Sequence, residues 1–93
     1  MPRRFTFGEV ATALADAPGW KAGDDQIVRE FTLAGHIEAV GFVVRVAMAA
    51  EVMDHHPDLR IVYNRVEIRL SSHDAGGVTG RDIALAKRIN ELL

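Results

Sequence analysis

Residues 37–54, IEAVGFVVRVAMAAEVMD, form the longest apolar stretch in the chain. Its length and its alanines favour helix over strand. Wound as a helix, it lines one face with Ala39, Val43, Val46, Ala47 and Ala50. The opposite side holds Gly41, Met48 and Val52, with Glu38 and Arg45 to wet it. A helix that is apolar almost all round must be covered on more than one side. Two arrangements satisfy this: a central core helix, or a helix that packs inward on its own domain and outward on another subunit. Gly41 costs about 1 kcal/mol in a helix interior relative to alanine, and close approach of another backbone would account for it.

The flanking segments supply the rest of a fold. Pro57 cannot continue the helix, and its ring disfavours helical geometry at His56. The pair His55-His56 therefore sits at the helix C-terminus, where the chain turns. Beyond it, Val66, Ile68 and Leu70 alternate with Arg65, Glu67 and Arg69, a strand with one polar face. Ile61 to Tyr63 reads as the preceding strand, with Asn64 near a turn. Upstream, Val10, Ala11, Leu14 and Ala15 give helical spacing over residues 7–16, and APGW breaks it. Lys21 to Ala34 reads as a hairpin turned by AGDD. Near the end, Thr79 and Asp82 have capping-box spacing before a final amphipathic helix.

The order α-β-β-α-β-β-α, with strands in adjacent pairs, predicts a two-layer α+β domain. Its four-stranded antiparallel sheet carries three helices on one face. A single domain spans residues 1–93, with the first four weakly ordered. The formal charge of −2 provides no large positive field for nucleic acid. No run approaches the ~18 apolar residues of a membrane span, and no apolar region follows Arg3 and Arg4 as a secretory signal requires. Cysteine is absent, which excludes thiolate metal sites and disulfides and leaves the cytoplasm as the default location.

Chemistry concentrates in the four histidines. His36 reads as a solvated helix terminus. His55 and His56 lie at a helix end whose partial negative charge, with Glu51 and Asp54, favours the protonated imidazole. His73 ends a strand and opens a glycine-containing loop, a suitable mount for a functional group. Glu51 and His55 are four apart and could join His73 around zinc. The common helical metal signature has two histidines at that spacing, though, and this chain has one. Metal-free acid–base chemistry is the better reading, since neighbouring imidazoles can be held in different protonation states. Gly76-Gly77 lacks the lysine and spacing of a phosphate loop. Arg81 and Asp82 are at least helix N-terminal residues, and Asp82 is expected to cap.

These residues form a spaced set: Glu51, three residues, His55-His56-Pro57, then Tyr63, His73 and Asp82. In this the sequence closely resembles the pterin-4a-carbinolamine dehydratases. The likeness extends to Gly19-Trp20, Phe31 and Leu33, Gly41-Phe42, the run VYNRVEIRL and the glycines and helix that close the chain, covering roughly residues 17–93. The family commonly places aromatic residues just after His-His-Pro. Leu59 and Arg60 stand there instead, which implies a more polar pocket mouth.

The resemblance implies dehydration of 4a-hydroxytetrahydropterin to quinonoid dihydropterin, in recycling tetrahydrobiopterin, with no cofactor and no metal. It makes His55, His56 and His73 the catalytic set and places Glu51, Asp54, Arg81 and Asp82 at the pterin pocket. His55 and His73 are expected to carry the main acid–base roles, with His56 positioning the hydroxyl and Glu51 biasing its i+4 neighbour His55. It implies a homodimer or homotetramer, formed through the 37–54 helix or the sheet edges. Two other readings stay open: a dimerisation or binding module, and a pterin-binding assembly protein with a vestigial site.

Overall fold

A computed structural model describes residues 3–93. Helix α1 (Phe7–Ala13) continues into a 3-10 turn and is followed by strands β1 (Lys21–Gly23) and β2 (Gln26–Thr32). The long helix α2 (His36–Met53) leads to β3 (Asp58–Val62) and β4 (Arg65–Leu70). A 3-10 turn at His73–Ala75 then precedes α3 (Gly80–Asn90). The sheet runs β1-β2-β4-β3 with every neighbouring pair antiparallel. The α-β-β-α-β-β-α order and the four-stranded antiparallel sheet are as the pattern predicts.

Alternation assigns the two faces of the sheet. Ile27 and Phe31 of β2 and Val66, Ile68 and Leu70 of β4 are buried. They pack under Ala39, Phe42, Val46 and Ala50 of α2 and Ile83, Leu85, Ala86 and Ile89 of α3. Burying a side chain the size of Phe42 or Ile68 contributes about 1.5–3 kcal/mol. The other face carries Glu30, Arg60, Arg65, Glu67 and Arg69, and Arg69 donates to Glu67 at 2.7 Å.

Three local expectations are corrected. The inward face of α2 does not include Ala47, which is exposed. It turns instead on Phe42, whose ring lies 4.9 Å from that of Phe31, and the bulk of this aromatic sets the helix rotation. Strand β3 starts at Asp58, directly after Pro57, because Arg69 of β4 is there to pair with it. Tyr63 is therefore not a strand residue. It sits in the β3–β4 turn at φ 53°, its carbonyl 2.8 Å from His36 Nδ1.

Of the first four residues, Met1 and Pro2 lie outside the described residues. Arg3 donates to Glu9 at 2.6 Å, and Arg4 pairs with Asp25 in the β1–β2 turn. Among the described residues no helix is long and apolar enough to cross a membrane.

Candidate active site

Helix α2 stops because Asp54 adopts the left-handed conformation, φ 50° and ψ 43°. Asparagine and aspartate tolerate that region better than other residues with a β-carbon. The reversal sends the next two side chains in opposite directions. His55 turns into the domain, its N–H held by the Ala50 carbonyl at 3.1 Å, and its side chain is almost wholly buried. His56 stays at the surface, and Pro57 leads into β3.

The buried half of the site is a closed hydrogen-bond network. His55 Nε2 lies 2.5 Å from Asp82 Oδ1. Asp82 Oδ2 accepts from Ser72 Oγ and from the Thr79 backbone N–H, both at 2.9 Å. Asp82 is 0% exposed, so these contacts replace water entirely. The same carboxylate closes the capping box of α3 with Thr79, as the Thr79–Asp82 spacing predicts. One residue thus anchors a helix and orients an imidazole.

The exposed half is built differently. His56 Nε2 donates to Glu51 Oε2 at 2.8 Å. That hydrogen bond, with the charges of Glu51 and Asp54, raises the His56 pKa above its ordinary value. The expected pairing of Glu51 with His55 is replaced by this contact. The left-handed turn at Asp54 takes His55 off the helical i+4 track and brings His56 back over the last turn of α2.

His73 enters from the loop after β4, at the start of the 3-10 turn. The bridge between Ser72 and Gly77 closes that loop. Arg81 reaches back from α3 to Asp74 at 2.5 Å and holds its carboxyl below the usual range, while Arg81 Nε is buried without a partner among the described residues. Together Asp54, His55, His56, Ser71, Ser72, His73, Asp74 and Arg81 line one open cleft of about 310 Å³.

The three histidines therefore meet at a single surface, with Asp54 and Arg81 beside them. Asp82 stands behind His55, and Glu51 stands outside against His56. Tyr63 is not brought to the cleft. It lies at the far end of β3, roughly 17 Å of extended chain away. Ser72 was missed by sequence reasoning. Its only signal is its place before His73, and its role depends on β4 and α3 coming together. No three His, Asp or Glu among the described residues are gathered as a metal site requires.

The sequence model of the pterin 4 alpha carbinolamine dehydratase family matches residues 3–92. The chain belongs to that family. A dehydratase of this kind is a hydro-lyase, and the relatives carry the same name. One from Afipia carboxidovorans is 52% identical over 82 residues, 86% of this chain and 82% of its own length. Another, from Chloroflexus aurantiacus, is 47% identical over 93 residues, covering 100% of this chain and 99% of its own. The solved structure of a transcriptional coactivator/pterin dehydratase from Brucella melitensis superposes with a TM-score of 0.91 at 37% identity, over 97% of this chain and 98% of that one. A pterin dehydratase-like RuBisCO assembly factor of the alpha-carboxysome shares the fold, with a TM-score of 0.65 at 18% identity over 78% of this chain and 84% of its own.

Proposed function

We propose that this chain dehydrates a 4a-hydroxytetrahydropterin to the quinonoid dihydropterin and water, in the recycling of a tetrahydropterin cofactor such as tetrahydrobiopterin. The observation that carries the reading is the convergence of His55, His56 and His73 on one cleft. Loss of water from a carbinolamine needs a proton taken from the neighbouring ring nitrogen and another delivered to the departing hydroxyl. Imidazoles do both near neutral pH, and each such role is worth about 10²–10⁴-fold.

The roles divide by environment. With Nε2 committed to Asp82, His55 has Nδ1 left to receive the ring-nitrogen proton. His73, exposed and mounted on the short loop turn, hands a proton to the hydroxyl. His56 stays cationic to higher pH beside Glu51 and holds the hydroxyl in place. Asp54 and Arg81 flank the heterocycle. A spectrophotometric assay of carbinolamine dehydration tests this, with the uncatalysed rate subtracted. His73→Ala should slow turnover tenfold to a hundredfold or more without changing the circular dichroism or the melting temperature. Wild-type rates in both His73→Ala and His55→Ala would end the reading.

The outer face of α2 supports a homo-oligomer, either dimer or tetramer. Ile37, Val44, Met48 and Val52 are 83%, 52%, 65% and 89% exposed along one stripe. Contiguous apolar stripes of this kind are uncommon on monomers. Size-exclusion chromatography with light scattering should give a multiple of 10.2 kDa. Met48→Glu should lower that mass, and a strict monomer in the wild type would contradict the assembly.

A further inference from the structure

We infer that Ser72 is a positioning residue for the dehydration, holding the Asp82 carboxylate in the orientation that seats the Nε2-protonated ring of His55. This rests on the proposed role of His55 and adds to it a residue to which that reading gives no part.

The argument is one of donors and acceptors. Ser72 Oγ lies 2.9 Å from Asp82 Oδ2 and 2.8 Å from Thr79 Oγ1. A carboxylate can only accept, so the single Ser72 proton points to Asp82. Thr79 then gives its hydroxyl proton to Ser72, and its own oxygen accepts the Arg81 backbone N–H at 3.2 Å. The chain therefore runs one way, from the N-terminus of α3 through Thr79 and Ser72 to Asp82. Its three residues are 1% (Ser72), 0% (Thr79) and 0% (Asp82) exposed, and His55 beyond them is 7%, so water cannot reverse it cheaply.

Two donors converge on Oδ2, the Ser72 hydroxyl and the Thr79 backbone N–H, and Oδ1 is left for His55. His55 Nε2 must then be the protonated nitrogen. Nδ1 keeps its lone pair, has no partner among the described residues and opens toward the cleft. The Thr79 N–H would cap α3 with or without Ser72. The serine hydroxyl is the second donor that stops the carboxylate from rotating and sharing its oxygens otherwise. The charged and titratable groups around His55 are Asp82 and Arg81 from α3, Asp54 and His56 from the chain beside it, and His73 and Asp74 from the β4–α3 loop.

The test is Ser72→Ala beside Ser72→Thr, read by steady-state kinetics and ¹⁵N NMR of the imidazoles. Ser72→Ala should lower kcat about tenfold with KM within about twofold. Ser72→Thr keeps the hydroxyl and should recover most of the rate. In the wild type, the ¹⁵N shifts should report neutral His55 protonated at Nε2, a readout that needs neither variant to fold. A loss of melting temperature in Ser72→Ala with kcat unchanged would reduce Ser72 to a structural role. Protonation of wild-type His55 at Nδ1 would overturn the inference outright. If the wild type shows no dehydration at all, the functional reading fails instead, and the tautomer measurement still decides the hydrogen-bond argument.

Discussion

His55 and His56 are adjacent in sequence and sit in opposite electrostatic regimes. His55 is buried against a carboxylate with no exposure, whereas His56 is in water against one that is also in water. The contacts look alike, 2.5 Å and 2.8 Å from nitrogen to oxygen. Their consequences differ because burial removes the alternatives. In the interior every donor must find its acceptor, so geometry dictates a tautomer. At the surface, water and salt compete, and the contact biases protonation while holding little in place. The cleft thus joins a rigid half to an adjustable one, split by the single left-handed residue Asp54.

The sharpest way to break this contrast is Asp82→Asn. To keep accepting from Ser72 and the Thr79 N–H, the amide must put its oxygen where Oδ2 stands. Its NH₂ group then faces His55 Nε2, which can only accept. The imidazole proton moves to Nδ1, and the lone pair facing the cleft is lost. Turnover should fall at least about a hundredfold, although the variant differs by one atom type and keeps its cap. The stability cost should be about 1–3 kcal/mol by denaturant unfolding. Retention of wild-type kcat would mean that the buried half does not set the tautomer.

A smaller effect separates the neighbours by stability. His55→Ala removes one of three donors from a fully buried carboxylate and should cost about 1–3 kcal/mol, beyond its effect on turnover. His56→Ala removes an exposed ring and should leave the denaturant midpoint within error. Equal midpoints for the two variants would show that burial is not what distinguishes them.

Legibility in the sequence divides along the same line. Strong periodicities carried the fold: the alternation of β4, the length of α2, and the Thr79–Asp82 cap, each decided within a few residues. The three imidazoles could be named because they stand in a spaced set. Their partners could not, because partnership depends on a turn and on contacts between distant segments. Glu51 is four residues from His55, and helical spacing pairs the two. The left-handed Asp54 gives Glu51 to His56 instead. Ser72 becomes a neighbour of Asp82 only once the loop between β4 and α3 has closed. Tyr63 keeps the spacing of the set yet lies at the far end of β3 from the cleft, so spacing alone does not imply proximity.

The gentlest test bears on the adjustable half. Glu51 raises the His56 pKa chiefly through the hydrogen bond, with its own charge and that of Asp54 adding to it. In Glu51→Gln the charge is lost and the hydrogen bond weakens, while Asp54 remains. The His56 midpoint, followed by NMR titration, should fall toward but not fully to the ordinary value. A raised folded-state pKa means that this pair favours the native state below the unfolded pKa, near 6.5. The contribution is lost as pH rises through the folded pKa. Because both side chains are in water, the change should appear in the titration and in the alkaline limb of kcat/KM, moved to lower pH, and not in the melting temperature at neutral pH. Added salt should shrink the wild-type shift toward that of the variant. A His56 midpoint that ignores both the substitution and salt would show that the surface half is as fixed as the buried one, and the contrast between the neighbours would fail.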